Sequence, residues 1–316
     1  MPQPTSSQVH VDAILTNIST AYMQSSDNFI ATKVFPVVPV SKQSDKFYTY
    51  TKNDWFRDEA QRRADATESA GGGYNLATDS YQADVYAFHK DIGDQTRQNA
   101  DAPINVDREA AEFVTSRLML KMETQWVSAF FGTGIWGTDY TPSNLWSDYT
   151  ASDPLGDIET GKRAILSTTG YSPNTLVLGY DTYKTLRNHP DLVDRIKYTS
   201  ASTLTEGLMG SLFDIDRVLV AKAVKATNNE GATGAYDFTH GKGALLTYAA
   251  PSPGLLQPSG GYIMSWTGVS GGLGATVGTS RLRLDAYRAD RIEAEVAFDM
   301  KVIGTDLGYM FNSVVA

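Results

Sequence analysis

The chain has 316 residues, a net charge of −9, 41% apolar and 20% charged residues, and no cysteine. Its length suits one large domain or two modest ones, and its composition is that of a folded protein rather than a disordered chain. The lack of cysteine excludes disulfides, thiolate metal sites and cysteine nucleophiles. The sequence has no secretory-signal pattern and no run apolar enough for a membrane helix. The acidic balance argues against a protein specialised in gripping nucleic acid, which usually needs a basic face.

The first 45 residues are mostly polar, with one apolar cluster at 29–40. Pro36 and Pro39 fix their own backbone φ and remove two N–H donors, so the cluster is predicted to be an extended arm rather than a helix. Such an arm has too few partners of its own to form a core. We therefore expect it to pack along another part of the protein.

A second unusual region follows the arm. Residues 46–52 and 81–88 are rich in aromatic and β-branched side chains and are predicted to be strands. The charged segment between them contains three consecutive glycines at 71–73. One interpretation is a disordered surface insertion. The other is a long hairpin whose two arms, of about 15 residues each, project roughly 50 Å and need a neighbouring surface for stability.

The clearest element is a helix over 106–131, roughly 39 Å long. Asn105 or Asp107 can cap its start, and Gly132 ends it. Apolar side chains recur every four residues and predict a wide buried face. This row consists of Ala110, Val114, Leu118, Met122, Trp126 and Phe130.

The rest of the chain alternates between short helices and strands. A helix is predicted over 158–169, a buried strand over 175–179, and a helix that starts at Asp181 and is stopped by Pro190. Further strands are predicted at 217–224, 243–249 and 260–266, and a long half-exposed strand system at 281–303. One long helix followed by mixed elements and long strands predicts an α+β fold.

Residues 132–137 match the spacing of a dinucleotide-binding fingerprint, with glycines at the first, third and sixth positions. That motif needs a strand before it and a helix after it, so that phosphates can bind the free N–H groups. Here a helix precedes the glycines and the bulky Trp136 lies among them. We therefore interpret the segment as a helix stop and a turn, and expect no bound cofactor.

The other chemistry-bearing residues form no recognised motif. The four histidines are scattered, so no metal site is expected, and each is predicted to be at the surface or partly buried. Asp58 and Glu59 lie among arginines, a pattern typical of a solvated or interfacial salt-bridge face. The sequence does not exclude a hydrolase whose catalytic Asp, Ser and His residues lie far apart in the chain. The histidines are His10, His89, His189 and His240.

Several segments, in order and spanning nearly the whole chain, resemble one family. They begin with VFPVVPVSKQSDKFYTYTKNDWFRDEAQRRADATES and include NTLVLGYDTYKTLRNHPDLVDRIKYT and YRADRIEAEVAFDMKVIGTDLGYMF. The segments are 34–69, 174–199, 213–231, 243–262 and 287–311. They resemble the major capsid proteins of tailed bacteriophages with the Hong Kong ninety-seven type fold.

This resemblance implies a two-lobed α+β phage capsid fold. An N-terminal arm over 1–45 precedes an extended β-hairpin loop over 46–90. The peripheral domain, with its spine helix at 106–131, is expected to comprise 91–157 and 285–316. The axial domain is expected over 158–284, with the final strands returning to the peripheral sheet.

The resemblance also implies a non-enzymatic shell subunit. It would self-assemble as hexamers and pentamers into the icosahedral head, in the bacterial host cytoplasm, and enclose phage double-stranded DNA contacted non-specifically. Implied partners are a separate scaffolding protein, a portal and a decoration protein, with no cofactor, metal or membrane. Two alternatives remain: an encapsulin-like nanocompartment that stores enzymes, and a soluble enzyme with the 132–137 turn in its pocket.

Two groups of residues are candidates for these roles. Residues 1–28 are expected to cross to an adjacent subunit on the inner side of the shell. The candidates for inter-subunit contact are Phe29, Val34, Phe35, Val37, Val38, Trp55, Phe56, Arg57, Arg62 and Arg63. The candidates for the core face of the spine helix are Val114, Leu118, Met122, Trp126 and Phe130.

Overall fold

The computed structural model describes residues 24–100, 104–196, 204–254, 256–269 and 278–316. The helices are α1 (Ala31–Val34), α2 (Lys52–Trp55), α3 (Asp94–Gln98), α4 (Val106–Phe130), α5 (Pro154–Thr169), α6 (Tyr180–Arg187), α7 (Pro190–Ile196) and α8 (Glu206–Phe213). The strands of the first half are β1 (Val37–Val40), β2 (Ser44–Tyr50), β3 (Leu76–Gln82), β4 (Asp84–Gly93), β5 (Thr138–Tyr140) and β6 (Thr175–Gly179). Those of the second half are β7 (Arg217–Ala221), β8 (Val224–Ala226), β9 (Tyr236–Phe238), β10 (Ala244–Thr247), β11 (Gly261–Trp266), β12 (Gly278–Leu284), β13 (Ala289–Val302) and β14 (Gly308–Phe311).

The first sheet, called the peripheral sheet, contains β1, β11, β13, β12 and β4 and is organised around β13, the longest strand. The peripheral sheet and the helix α4 that packs on it are together called the peripheral lobe. One edge of β13 pairs antiparallel with β4 over 289–298. Its other edge pairs antiparallel first with β12 and then with β11, and β1 of the arm adds to β11 in parallel. The side chains of β13 alternate between buried and half-exposed, which is typical of a sheet with one covered face. The long half-exposed strand system predicted at 281–303 is therefore a hairpin of β12 and β13.

A second sheet has the order β5-β14-β10-β6-β7. All five residues of β6 are buried, because both faces of this sheet are covered. Val177 and Leu245 point into the core that contains α4, whereas Leu176 and Leu246 point into a core shared with α5 to α8. The second sheet is thus the wall between the two cores of the protein.

The long helix was predicted almost to the residue. Asn105 is its N-cap, with its side chain accepting a hydrogen bond from the Arg108 N–H at 3.1 Å. The row of apolar residues spaced four apart is buried, as the periodicity predicts. The buried row is Ala110, Val114, Leu118, Met122, Trp126 and Phe130. This row packs on β13 and β4.

Among the described residues, no helix is long and apolar enough to cross a membrane.

The domain limits inferred from the resemblance need correction. Strands β11 and β12 were placed in the axial range 158–284 but pair with β13 in the peripheral sheet. Conversely, β5 and β14 were placed in the peripheral ranges but belong to the second sheet. Sheet membership depends on which strands meet in space, so a division by sequence order cannot give it.

Three local predictions also differ from the structure. The arm is not wholly extended, because a four-residue helix, α1, precedes Pro36; extended backbone begins at β1. Pro190 starts α7 rather than only ending α6, which fits a residue that needs no N–H donor in a first turn. The strand predicted at 81–88 spans a break at Ala83, where β3 ends and β4 begins.

The extended loop contains a shorter ladder than predicted. Strands β2 and β3 pair antiparallel over seven residues each, from Ser44 opposite Gln82 to Tyr50 opposite Leu76. The remaining loop residues form α2 and irregular chain. Because β4 pairs with β13, the peripheral sheet already begins inside the predicted loop range 46–90.

Replacing Trp126 with alanine should lower the free energy of unfolding by about 3–5 kcal/mol, the usual cost of removing a large buried aromatic side chain. Trp126 is fully buried, and its ring lies 5.5 Å from that of Phe130 and 6.3 Å from that of Phe35. Denaturant unfolding of the soluble subunit measures the change. Trp55→Ala, at an exposed tryptophan, is the control and should cost about 0.5 kcal/mol or less. Equal midpoints for the two variants would contradict this packing.

Candidate assembly surfaces

The extended loop carries an exposed aromatic cluster near its turn. The rings of Tyr50, Trp55 and Tyr74 lie 5.6–6.1 Å apart, while Trp55 and Tyr74 remain 52% and 62% exposed. Asp54 fixes this end of the hairpin by accepting hydrogen bonds from the backbone and side-chain amides of Asn75. The subunit therefore presents a preformed apolar surface that its own chain does not cover.

The tip of the loop, at 51–75, touches the rest of the described subunit at few points. Lys52 forms an ion pair with Asp306, and the ring of Phe56 lies beside Gly170 at the end of α5. Phe56 is still 61% exposed. An exposed ion pair of this kind contributes little, roughly 0–1 kcal/mol. The body of the subunit therefore anchors the tip of the loop weakly.

The base of the loop is held more firmly. Tyr81 of β3 is buried in an apolar cluster with Tyr262 and Met264 of β11, and Phe47 of β2 packs against this cluster. The ribbon is therefore fixed at its base, while its tip is left accessible.

The arginines of the loop form no ion pair or hydrogen bond with the described body of the subunit. Arg57 lies 3.5 Å from the Glu59 carboxylate, and Arg63 donates to the Thr67 carbonyl oxygen. Both of these contacts are exposed. Arg62 is exposed as well. These three guanidinium groups are accessible to a partner, as expected for a contact surface.

The arm packs along the protein as expected, but three of its residues do not have the contact role predicted for them. Phe29, Val34 and Phe35 are 6%, 1% and 2% exposed, because they pack into their own subunit. Their assignment to inter-subunit contact was wrong: a side chain buried in its own core cannot contact another subunit. Val37 and Val38 are half-buried on β1. The predicted crossing of residues 1–28 falls mainly on residues outside the described part of the chain.

Sequence reasoning missed the carboxylate that fastens the arm. Glu123 is fully buried on α4, and its Oε2 accepts hydrogen bonds from the backbone N–H groups of Ile30 and Ala31 at 3.0 and 2.9 Å. Those groups begin α1 and lack intrahelical acceptors, so the carboxylate satisfies them. Heptad or four-residue periodicity could not reveal this role, because a glutamate in a helix is ordinarily solvent-facing.

Further bonds tie the same arm segment to the second sheet and to the strand that follows it. Arg217 of β7 donates to the carbonyl oxygens of Lys33 and Val34. The Gln24 side chain exchanges two hydrogen bonds with the backbone of Val224 in β8, which pairs with β9 in a separate two-stranded ribbon. The arm therefore bridges the spine helix and the second sheet.

Burial controls the ionisation of Glu123 and of its neighbour His240. Desolvation raises the pKa of Glu123 to about 7, despite the two backbone bonds and the Lys33 charge, which favour ionisation. Desolvation lowers the pKa of His240 to about 3. The His240 Nδ1 is 3.6 Å from the Glu123 Oε1, but between about pH 3 and pH 7 both groups are mainly neutral and form no ion pair. His189 and His240 are buried, contrary to the prediction of exposed or partly buried histidines.

Ser152, His189 and Asp191 come together in a way that superficially resembles a catalytic triad. The Ser152 Oγ is 3.0 Å from the His189 Nε2, and the Asp191 carboxylate is 3.7 Å from Nδ1. However, the Asp191 backbone N–H donates to Nδ1, and the Ser152 hydroxyl donates to the Asp148 carbonyl oxygen. Nε2 therefore carries the proton and donates to Ser152, so His189 cannot act as a base towards it. This buried cluster is structural.

The 132–137 turn is also structural. Its backbone is tied to the 3₁₀ turn at 305–307, with the Gly137 N–H donating to the Thr305 carbonyl oxygen at 2.9 Å. Trp136 is buried, and its Nε1 donates to the Phe130 carbonyl oxygen at the end of α4. Among the described residues, no group of three or more His, Asp and Glu side chains is placed to hold a metal ion.

A network of ion pairs lies at the end of the peripheral lobe where α4 begins. Asp290 on β13 is buried and accepts from Arg281, and from Arg283 at 3.2 Å. These bonds, together with one from Arg97, lower its pKa to about 2. The network joins α3, the start of α4 and the β12–β13 hairpin. Its members are Arg97, Arg281, Arg283, Asp94, Asp107 and Asp290.

Comparison with solved structures identifies the fold. No protein-family profile matches the chain. A phage-related protein from Bordetella bronchiseptica has a TM-score of 0.69 at 24% identity, covering 92% of this chain and 94% of its own. The capsid of cyanophage P-SCSP1u gives 0.63 at 11%, covering 95% and 92%, and an encapsulin from Synechococcus elongatus gives 0.60 at 10%, covering 96% and 95%. The chain has the fold of phage capsid and encapsulin shell subunits.

Proteins of similar sequence distinguish between phage capsid and encapsulin relatives. The major capsid protein of Burkholderia phage BcepMu is 25% identical over 312 residues, which is 96% of each chain. The major capsid protein of Pseudomonas phage JBD67 is 26% identical over 224 residues, which is 67% of this chain and 69% of that one. The chain is a homologue of phage major capsid proteins.

Glu123→Gln should flatten the pH dependence of subunit stability. The folded-state pKa of Glu123, about 7, lies above its ordinary value of 4.5. Its contribution to stability is therefore complete below pH 4.5 and is lost as the pH rises through 7, by on the order of 3 kcal/mol in total. Unfolding free energies measured from pH 4.5 to 8 should fall for the parent protein and fall less for the variant.

Glu109→Gln, at an exposed position of the same helix, is the control for this experiment. Its pH profile should follow that of the parent protein. If the Glu123→Gln profile is also parallel to the parent profile, Glu123 is not the titrating group. Of the charged groups facing Glu123, His240 titrates at about pH 3, outside this window.

Proposed function

We propose that this chain is the major capsid protein of a tailed bacteriophage. Copies of it assemble as hexamers and pentamers into an icosahedral head that encloses double-stranded DNA. The observation that carries the proposal is end-to-end similarity to a phage major capsid protein, combined with the phage capsid fold. Assembly in the host cytoplasm with a scaffolding protein, a portal and a decoration protein extends the proposal by resemblance.

The extended loop supports a role in assembly. A two-stranded ribbon is at best marginally stable alone, and the tip of this one has few contacts with the described part of its own subunit. It nevertheless exposes Trp55, Phe56 and Tyr74 together with three arginines. Aromatic and arginine side chains of this kind are the usual energetic centres of protein interfaces. We assign this surface to contact with a neighbouring copy of the chain, with Arg57, Arg62 and Arg63 meeting acidic groups.

An encapsulin-like shell is the second candidate, and the structural similarity to an encapsulin favours it. The fold similarity alone does not separate the two, since the TM-scores of 0.63 and 0.60 are nearly equal. The curated sequence relatives favour the phage capsid. The contents of purified particles decide the question, because a phage head encloses DNA and an encapsulin encloses cargo protein. A soluble enzyme would form a small oligomer instead of megadalton particles.

Trp55→Ser combined with Phe56→Ser should abolish closed shells while leaving the subunit folded. Both side chains are more than half exposed, so the unfolding free energy should change by about 0.5 kcal/mol or less. Assembly should fail because the apolar contact area on the neighbouring copy is lost. Assembly is measured by negative-stain electron microscopy and sedimentation of the full chain, expressed together with the scaffolding, portal and decoration proteins of the proposal.

The matched control is Trp55→Phe combined with Phe56→Tyr, which keeps two aromatic rings at the same positions. This variant should assemble. Normal particles from the serine variant would refute the assignment of the loop. Failure of the parent chain to form large particles under every condition would refute the proposed function itself.

A further inference from the structure

A cationic flank runs along α4 where this helix overhangs β4. It consists of Lys90 on β4 with Arg117 and Lys121 on α4. The Lys90 Nζ lies 5.6 Å from the ring centre of Phe113, and the Arg117 guanidinium carbon lies 5.2 Å from the same centre. The Lys121 Nζ lies 5.2 Å from the ring centre of Tyr86. The aromatic faces hold the three cations in place through cation–π attraction.

None of these three cations forms an ion pair within the described part of the chain. Arg117 and Lys121 are exposed and Lys90 is half-exposed. The nearest carboxylates lie at the two ends of the flank. Glu109 is one helical turn before Phe113, and Asp84 is two residues before Tyr86 on β4. Burial raises the pKa of Tyr86, and the negative charge of Asp84 raises it further. In a chain of net charge −9, three adjacent cations without anionic partners form a surface suited to an external anion.

The opposite face of the same sheet has the reverse charge. The side chains of β13 and β4 that point away from α4 include four carboxylates against two cations. The carboxylates are Asp91, Glu293, Glu295 and Asp299, and the cations are Arg291 and Lys301. One cation pairs with a carboxylate in the bond between Arg291 and Asp91. The excess of carboxylates disfavours a polyanion on this face, in contrast to the flank formed by Lys90, Arg117 and Lys121.

The spacing of the flank fits a nucleic-acid backbone. From Phe113 to Lys121 the helix advances about 12 Å, at 1.5 Å per residue. One strand of a DNA duplex carries a phosphate about every 3.4 Å of helix axis, so the flank spans about three phosphates. Three cations for three phosphates give a weak contact in one subunit. When the same weak contact is repeated in many subunits, the total affinity for the nucleic acid becomes appreciable, although no single contact immobilises it.

We infer that the cationic flank formed by Lys90, Arg117 and Lys121 contacts the phosphate backbone of double-stranded nucleic acid. The inference rests on the proposed function, in which the shell encloses DNA, and it orients the subunit: the α4 side of the peripheral lobe faces the interior. Contact is non-specific, since cations at this spacing reach phosphates and no base edge.

The test is binding of a short fluorescein-labelled DNA duplex to unassembled full-length subunits, followed by anisotropy between about 50 and 200 mM salt. The variant Lys90→Gln/Arg117→Gln/Lys121→Gln should bind at least about tenfold more weakly at the lowest salt. The slope of log affinity against log salt should become shallower by about 0.9 for each phosphate contact removed.

The matched control is Arg163→Gln/Lys184→Gln/Lys225→Gln, which changes the net charge equally at exposed positions outside the peripheral lobe. It should keep most of the affinity and of the slope. Equal loss in both variants would mean that only net charge matters and would overturn the inference, as would unchanged binding by the flank variant. Thermal unfolding of both variants checks that the subunits are folded.

Two further measurements separate the possible outcomes. Competition by poly-glutamate as effective as competition by unlabelled duplex would assign the flank to an acidic protein segment and overturn the inference. Electron microscopy of assembled material tests the shell independently: the flank variant should still form closed particles, with less nuclease-protected DNA. Loss of particles from the parent chain would contradict the proposed function, while the anisotropy result would still decide on the flank.

Discussion

Burial of the apolar face of α4 is the interaction on which the rest of the structure depends. On one side this face covers β13 and β4, and on the other side the arm covers the helix. The aromatic rings of Phe35, Trp126, Phe130 and Trp136 meet at its C-terminal end, with ring centres 4.7–6.4 Å apart. The arm, the helix and the sheet cannot separate without exposing this aromatic core to water.

The arm and the loop represent two opposite solutions for an extended segment. The arm is apolar and is held by buried hydrogen bonds to Glu123 and by Arg217, so it belongs to the body of its own subunit. The tip of the loop is charged and aromatic, and its own subunit holds it through an exposed ion pair, while the base of the loop packs on β11. Under the proposed function, stability of the subunit and assembly of the shell depend on different segments, and substitutions at the tip of the loop would affect assembly alone.

Charge is distributed in the same divided way. The chain is acidic overall, yet cations without ion-pair partners in the described residues lie along α4 beside β4, while carboxylates predominate on the open face of the sheet. At the far end of the lobe, by contrast, arginines and aspartates neutralise one another in a network around the buried Asp290. A subunit wall with one weakly cationic side can hold a polyanion loosely while the overall negative charge limits tight binding.

The sequence by itself determined the long helix and its buried row, because four-residue periodicity over 25 residues is a strong signal that depends only on local spacing. It also identified the mixed α+β class and, through resemblance, the capsid fold. The exposed character of Trp55 and Phe56 followed from the charged surroundings of the loop. These features are encoded in neighbouring residues, and no distant contact is needed to recognise them.

Only the tertiary structure decided which distant residues meet. The pairing of β11 and β12 with β13, the burial of Val34 and Phe35 on α4, and the capping of α1 by Glu123 all join segments far apart in sequence. Glu123 and His240 look like ordinary surface residues in the sequence, and burial is the largest cause of the shift in the pKa of each. Local patterns specify elements, but the partners of a buried polar group are fixed by how those elements pack.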